Sequence, residues 1–413
     1  MLKRYQLNEI FSYAIAAILL IDCRAMIGYM DITPNWWFTF KNFLMIILLV
    51  ITMLIRNQGK YVISMRKFEL IILLGLYLSF YLLINRYAIF SNFQRIVIVL
   101  LLLLYSSLES KNDGIIELLC KYKNLVFLVA LSSLVLWFLG CILKLNINSY
   151  VIYTSWSGTY NLRRVQSYYG VCNLIGSIDI FGKTIPKNAS IFTEAPMASL
   201  NFCIALIIEV LLEKKSLKGR ILIFVLAIIS TFSFTGLTFL MMLIILKYTI
   251  EKQSDKVKFF VKYLVLPILT VIGIGIAIKL FMSKMSVNSG IIRLDDFVVC
   301  FRAWQTKKIF GAGIGNDNYL IQFMGGWRTF NQGLSNSPGQ ILAHGGIYIF
   351  IIYILTISYS IYKMVRTKDN KSLIFYILFL YLFTITVCSY QFITYVIMIW
   401  ALHLSSNKTK IWV

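Results

Sequence analysis

The chain has 413 residues, of which 59% are hydrophobic and 14% are charged. Soluble globular proteins carry about 25% charged residues, and here the apolar residues form long blocks instead of amphipathic patterns. These features exclude a water-soluble enzyme, a disordered protein and a disulfide scaffold. They predict an all-α polytopic membrane protein.

Apolar blocks of spanning length recur along the chain, since a helix crosses a bilayer with about 20 apolar residues. Such blocks occupy residues 8–28, 37–55, 67–84, 93–108, 124–145, 191–212, 261–281 and 339–362. Two longer blocks, 219–250 and 372–405, each predict two short helices around the polar turns TFSFTG and SYQ. The sequence therefore predicts about 12 transmembrane helices.

Basic residues cluster after alternate spans, and short cytoplasmic loops retain Lys and Arg. With about 12 spans, all these clusters lie on one side, so both termini are expected in the cytoplasm. The first block is followed by Arg24 and is expected to be a span, not a cleavable signal peptide. The net charge of +23 is distributed over many short loops. It therefore suits topology and anionic lipid, and no nucleic-acid partner is expected.

The seven cysteines are scattered and form no C-x-x-C pair. The sequence therefore predicts neither a zinc site nor a redox motif. Cys172 and Cys300 fall in outer loops, and whether they form a bridge stays open at this point.

Two long outer loops divide the chain. The expected order is N-terminal spans (1–145), a first outer loop (146–190), central spans (191–281), a second outer loop (282–338) and C-terminal spans (339–413). Long ordered loops are often functional. An active site is therefore expected on the outer face, between the two loops.

The first outer loop combines aromatic and basic residues: Trp156, Tyr160, Arg163, Arg164 and Lys187. A sugar stacked on an aromatic ring, beside a phosphate held by arginine, suits this composition. An aromatic belt at the membrane interface explains Trp156 and Tyr160 equally well. The two arginines favour the first interpretation, because short outer loops are poor in positive charge.

Glu194 stands where this loop runs into a span, in the segment SIFTEAP (190–196). A carboxylate drawn into lipid costs a few kcal/mol, so Glu194 must face protein or a wet cavity. It is a candidate catalytic residue. The alternative is a capping role at the helix N-terminus, where negative charge is favourable.

The second loop supplies two candidate arginines, Arg293 and Arg302, followed by the glycine run GAGIG (311–315). The run lacks the surroundings of a dinucleotide fingerprint, but glycines let a backbone approach a ligand closely. The acidic residues of this loop, Asp295, Asp296 and Asp317, suit either a Mg²⁺ ion beside a phosphate or simple solvation. Solvation is the preferred interpretation, and no metal site is predicted.

Two histidines occur in the chain. His344 lies about one turn into a span near the outer face, where a histidine is either a partnered polar group or a catalytic one. His403, near the cytoplasmic end of the last span, is expected to be structural.

The order of these features resembles the O-antigen and capsular polysaccharide polymerases, which share their fold with O-antigen ligases. The resemblance rests on the segments SIFTEAP (190–196), TFSFTG (231–236), Arg293 with IFGAGIG (309–315), and the stretch from Asn336 through Gln340 to Ile347. It departs from the family pattern at three positions. Ser335 stands where ligase-type members have a loop histidine, Lys187 replaces an arginine, and Ile309 replaces a proline.

The resemblance implies a glycosyltransferase in the bacterial inner membrane, acting on its outer face without a cofactor. Donor and acceptor would be oligosaccharide repeat units of lipopolysaccharide or capsule, linked to undecaprenyl pyrophosphate, and the reaction would invert the anomeric carbon. Fixed arginines would stabilise the departing pyrophosphate in place of a metal, and a general base would activate the acceptor hydroxyl. The catalytic candidates are Glu194, Arg293 and His344. The substrate-binding candidates are Trp156, Tyr160, Arg163, Arg164, Lys187, Arg302 and Asn336.

A chain-length regulator in the same membrane is a partner implied by the resemblance alone. Two alternatives stay open. An O-antigen ligase would share fold and donor, but Ser335 in place of histidine counts against it. A lipid-linked oligosaccharide flippase would carry charges inside the bundle, whereas the spans here are nearly charge-free, with Asp22, Arg24 and Glu209 near span ends.

Overall fold

A computed structural model describes residues 4–57, 65–108, 114–155, 162–180, 182–213, 216–250, 289–328 and 333–403, and these are mostly helical. Their helices are α1 (Arg4–Asp22), α2 (Trp37–Asn57), α3 (Met65–Ile84), α4 (Ile89–Ser107), α5 (Gly114–Trp137), α6 (Ala195–Ile207), α7 (Lys218–Ser230), α8 (Phe234–Ile250), α9 (Ser289–Thr306), α10 (Asp317–Ile321), α11 (Ser337–Thr367), α12 (Asn370–Ile385) and α13 (Phe392–His403). Two π-helical turns, Phe138–Ile142 and Ile208–Leu212, extend α5 and α6.

Six helical segments among the described residues are long and apolar enough to cross a membrane: Trp37–Arg56, Lys67–Ile84, Ile89–Ser107, Gly114–Ile142, Ala195–Leu212 and Ser337–Thr367. Shorter apolar helices occupy Phe234–Tyr248, Asn370–Ile385 and Phe392–His403. The mostly helical architecture is therefore confirmed, and these helices could cross a membrane. The predicted span at 261–281 lies outside the described residues, and about 12 spans remain a prediction.

Each of the two longest apolar blocks contains two helices joined by a polar turn, as the sequence predicted. Between α7 and α8, Phe232 has a left-handed φ of 46°, and the Thr231 hydroxyl accepts a hydrogen bond from the Ser233 amide at 3.2 Å. Between α12 and α13, the Cys388 amide donates to the Ser337 hydroxyl of α11 at 2.8 Å. Side-chain hydroxyls thus satisfy backbone groups that the turns leave open.

The first outer loop is a four-stranded antiparallel sheet, which corrects the expectation of an all-α fold. Its strands are β1 (Ser149–Thr154), β2 (Arg163–Tyr168), β3 (Cys172–Ile180) and β4 (Lys183–Asn188), paired in chain order. Gly170 and Gly182 adopt φ of 70° and 75° in the two later hairpin turns, a conformation that glycine reaches without strain. Short strands with polar edges give too weak an alternation for hydropathy to detect.

The sheet joins the helix bundle at the ends of α1 and α6. Isolated backbone bridges link Ala25 to Phe192 and Met30 to Thr154, and the Trp137 indole donates to the Pro186 carbonyl at 2.8 Å. We call this the sheet end of the bundle. The glycine run lies at the same end, because Gly315 lines one cavity together with Arg24 and Gly28, which follow α1.

The helical geometry of α11 is interrupted at Gly346, and backbone amides of the glycine run donate hydrogen bonds to the carbonyls just before the interruption. Gly346 has φ 61° and ψ −166° inside the helix. The carbonyls of Ala343 and His344 accept hydrogen bonds from the amides of Ala312 and Gly313 at 2.9 and 2.8 Å. A Cβ on Gly311 would lie 2.4 Å from the His344 carbonyl carbon. Glycine is therefore required for the loop to dock here.

The opposite end of the bundle holds a buried charge cluster, formed by Lys123, Glu209, Glu213 and Arg220. Lys123 and Glu209 are each 1% exposed, and the Lys123 amine lies 2.8 Å from Glu209 and also pairs with Glu213. Arg220 lies 3.9 Å from Glu209. Two cations face two carboxylates, so the cluster is balanced in charge.

Candidate functional site

A polar cavity of about 170 Å³ opens at the sheet end. Residues from α1, α2, α4, α11, the glycine run and the α12–α13 turn line it, which brings together segments far apart in sequence. Its charged and polar lining residues are Asp22, Arg24, Tyr29, Lys41, Arg95, Asp317, Gln340, Ser389, Tyr390 and Gln391. Three cations against two carboxylates make the lining net positive.

The end of α1 fixes two of the charged groups. One carboxylate oxygen of Asp22 pairs with Lys41 of α2, and the other accepts the first amide of α13, from Phe392, at 2.7 Å. Arg24 follows with a left-handed φ of 60°. For a non-glycine residue this conformation costs about 1–3 kcal/mol, and such residues cluster at ligand sites.

Glu194 lies beside this arginine. Its carboxylate is 3.9 Å from the Arg24 guanidinium, and its side chain is 37% exposed. Glu194 occupies the N-cap position of α6, but its side chain makes no capping hydrogen bond. Both interpretations offered by the sequence stay open, because Glu194 stands at the helix N-terminus without a capping hydrogen bond and its carboxylate is part-exposed beside Arg24.

His344 lies beneath the cavity floor and is fully buried. Its Nε2 atom is 3.3 Å from Oδ1 of Asp317, and its ring stacks on Tyr390 with centroids 6.0 Å apart. Asp317 lines the cavity and is 66% exposed. A ligand in the cavity would therefore meet Asp317 and Tyr390, with the imidazole behind them.

Asp317 is held in its charged form. Burial by neighbouring groups raises its pKa, but the His344 imidazole, with Arg24 and Gln340, outweighs burial. The net pKa of the carboxyl is below its ordinary value. The pair with His344 thus keeps a negative charge at the edge of a positive cavity.

Arg293 sits on α9 at a half-buried position. Burial lowers the pKa of its guanidinium, while the charges of Tyr381, Asp296 and Glu194 act in the opposite direction. Arginine keeps its charge under any such shift at neutral pH. Glu194 thus lies 3.9 Å from Arg24, and its charge also acts on the pKa of Arg293.

The acidic residues of the second loop do not converge on a metal site. Asp295 and Asp296 hold the buried Arg328 guanidinium at 3.2 and 2.6 Å, whereas Asp317 faces His344. Among the described ranges, no group of three His, Cys, Asp or Glu side chains is arranged to hold a metal ion. Arg328 thus anchors the loop to α9, a role that the sequence analysis did not assign.

The remaining predicted binding residues lie away from the cavity lining. Arg163 and Arg164 are exposed on β2, and Arg302 is exposed on α9. Lys187 on β4 is half-buried, and burial lowers the pKa of its amine. Trp156 and Tyr160 lie outside the described residues.

Asn336 has a structural position. It is buried and caps α11 by accepting the Gly339 amide at 2.6 Å. The two cysteines assigned to outer loops, Cys172 on β3 and Cys300 on α9, are both buried free thiols. His403 ends α13, in its last turn.

Two lining cations escaped the sequence analysis, because the spans were described as nearly charge-free. Lys41 lies in the second apolar block and Arg95 in the fourth, and both line the cavity. The signal was present in the sequence. A charged residue inside a span marks a functional site by default, since lipid excludes it.

Comparison with known proteins adds no relative: no family model matches the chain, and no curated protein matches it. The site is therefore interpreted from its own residues and from the motif resemblance.

Proposed function

We propose that the protein is a polysaccharide polymerase of O-antigen or capsule type. It would join oligosaccharide repeat units carried on undecaprenyl pyrophosphate, on the outer face of the bacterial inner membrane. One observation carries the proposal. Two of the four segments that resemble the polymerase motifs contribute Gly315 and Gln340 to the lining of one cationic cavity, and a third places Glu194 3.9 Å from Arg24 of the same lining.

The charge of the cavity suits this reaction. Departure of a pyrophosphate concentrates negative charge on its oxygens, and fixed cations that are already in place stabilise it without reorganising. Arg24, Lys41 and Arg95 line the cavity, and Glu194, beside Arg24, also acts on the pKa of Arg293. Each well-placed donor contributes about 3–4 kcal/mol to such a transition state.

The transfer itself needs one proton acceptor. The acceptor hydroxyl oxygen attacks the anomeric carbon of the donor sugar, a new C–O bond forms, and the bond to pyrophosphate breaks. Undecaprenyl pyrophosphate leaves with the bond electrons, and the hydroxyl proton passes to a base. Glu194 is the proposed base, since its carboxylate makes no capping hydrogen bond and is part-exposed. His344 would act through Asp317, because it does not line the cavity.

The topology proposed with this function has about 12 spans and two cytoplasmic termini. It places the sheet, α9 and the cavity on the outer face. Two helix ends support it, because a backbone bridge joins Ala25, which follows α1, to Phe192, which precedes α6. A chain-length regulator is the proposed protein partner.

A lipid-linked oligosaccharide flippase is the second candidate, and one observation favours it. Lys41, Arg95 and Lys123 place charge inside the bundle, as transporters of charged lipids require. The polymerase is preferred because Glu194, which makes no capping hydrogen bond, and Arg24 beside it suit proton transfer and phosphate binding at an outward cavity.

Gene deletion in the bacterial host distinguishes these functions, with the surface polysaccharide separated by size on a gel. A polymerase predicts loss of the ladder, with a single repeat unit still attached to the surface. Intact polymer retained on its lipid carrier would instead identify a ligase. Accumulation of single lipid-linked units on the cytoplasmic face would identify a flippase and overturn the proposal.

A further inference from the structure

A second cavity, almost entirely apolar and of about 150 Å³, lies against the first one. It is a groove between α3 and α4 on one side and α11 and α13 on the other. Along α4 it extends from Asn92 to Leu103, which corresponds to about 17 Å because each residue advances a helix by about 1.5 Å. The groove thus leads from the sheet end into the apolar part of the bundle.

The outer wall of the groove is a peripheral helix. Only 6% of the spanning window of α3 is buried inside the structure, and Leu73 and Leu76 are exposed on it by 62% and 64%. In a membrane these side chains face lipid. Leu74 and Leu78, on the other side of the helix, line the groove. One helix therefore separates the groove from the bilayer.

Arg95 and Tyr390 belong to both cavities. The Arg95 guanidinium lies 5.9 Å from the Tyr390 ring centroid, and within the described ranges no carboxylate lies within 4.0 Å of it. The other two lining cations do have carboxylate partners, Lys41 in Asp22 and Arg24 in Glu194. An uncompensated cation in a span is costly, so Arg95 is the position where an anion would contribute most.

The geometry points to a binding site for a lipid with a long polyprenyl tail and a phosphate head. The tail would lie in the groove, and the phosphate nearest to it would bind Arg95 at the junction. A free phosphate leaves the apolar groove unfilled, and a neutral lipid leaves Arg95 unpaired. An amphiphile would both fill the apolar groove and pair with Arg95. Burial of its tail would contribute about 0.8 kcal/mol of binding free energy per CH₂ group.

This inference rests on the proposed function only in taking the lipid to be polyprenyl. It assigns Arg95 as a head-group anchor and assigns the α3–α4 side as the wall along which the tail lies. The sequence alone suggested neither Arg95 nor the apolar groove as part of a site.

The test measures binding of undecaprenyl phosphate to the full-length protein in detergent, by native mass spectrometry. Ile352 lines the groove, and its neighbour Ile351 is 42% exposed on the outside of the same helix. Ile352→Trp should weaken binding at least tenfold, and the matched control Ile351→Trp should leave it unchanged. Equal binding by both variants would overturn the groove assignment.

A second variant tests the head group. Arg95→Gln should weaken binding of undecaprenyl phosphate at least tenfold and leave binding of the uncharged undecaprenol unchanged. Loss of both ligands together, or of neither, would overturn the anchor. Phosphatidic acid, with two acyl chains, should bind at least tenfold more weakly than undecaprenyl phosphate, and equal binding would overturn the polyprenyl assignment. Melting temperatures of all variants show that they are folded.

These outcomes separate the inference from the proposed function. Binding that depends on Ile352 and Arg95, in a protein whose deletion leaves the polysaccharide ladder intact, would support the lipid site and reject the polymerase. A normal ladder in cells that carry either variant, combined with unchanged binding, would reject the lipid site and leave the polymerase standing.

Discussion

Two of the regions in which the described part of the bundle holds charged side chains differ in charge balance and in open space. At the end opposite the sheet, Lys123 and Arg220 form ion pairs with Glu209 and Glu213. At the sheet end, three cations and two carboxylates surround an open cavity of about 170 Å³. Charges that compensate one another hold helices together, whereas an excess of one sign beside empty space suits a ligand of the other sign. The comparison therefore distinguishes a charge cluster that suits a structural role from one that suits ligand binding.

The largest expected effect tests the structural side of this comparison. Lys123→Met would leave Glu209, which is 1% exposed, with weaker compensation. Removing one partner of a buried ion pair destabilises a protein by about 3–5 kcal/mol, so this variant should melt at a clearly lower temperature in detergent. Lys363→Met, at a less buried position on α11, is the control and should melt like the natural protein. A Lys123 variant with unchanged stability would remove the distinction between the two regions.

A slightly smaller effect is expected at the sheet end, and it should lower polymer formation without lowering the melting temperature. Arg293→Ala should lower polymer formation about 10²–10³-fold, the usual loss when one transition-state donor is removed. The protein should still insert normally. Long chains are measured on the polysaccharide gel. Arg302→Ala, at an exposed position on the same helix, should lose much less. An unchanged chain length in the Arg293 variant would exclude this arginine from the site.

The smallest effect concerns Asp317, whose pKa is lowered in the folded protein. A carboxyl with a lowered pKa stabilises the fold above its ordinary pKa of about 3.9, and this contribution is lost as the pH falls through the lowered pKa. Asp317→Asn should therefore melt at a slightly lower temperature than the natural protein at pH 7. The difference should shrink as the buffer is acidified below about pH 4. A difference independent of pH would contradict the pair with His344. Because Asp317 is 66% exposed, solvent screening keeps the effect small.

The sequence predicted part of this architecture well. Long apolar blocks specify helices almost by length alone, and the division of 219–250 into α7 and α8 followed from one polar turn. Glu194 was a candidate because a carboxylate at the end of a span needs a polar neighbour. That neighbour, Arg24, was not identified, since the pairing depends on a backbone bridge between distant segments.

Other features lie beyond a reading of hydropathy. When hydropathy is averaged over an apolar block, a single charged residue barely changes the mean. Lys41 and Arg95 were overlooked for this reason. The glycine run was interpreted as a loop that approaches a ligand, whereas its backbone docks on the broken start of α11. The sheet was missed because its strands are short and half exposed.

The bridges that attach the sheet to the bundle have a consequence for the order of folding. Residues 24–30 emerge early in synthesis, but their backbone partners at Thr154 and Phe192 emerge only after the first five helices. Domains fold as their segments become available, so the wall of the cavity that carries Arg24 stays incomplete until the sheet has formed. Assembly of the charged cavity is thus a late event, which follows the insertion of the helices around it.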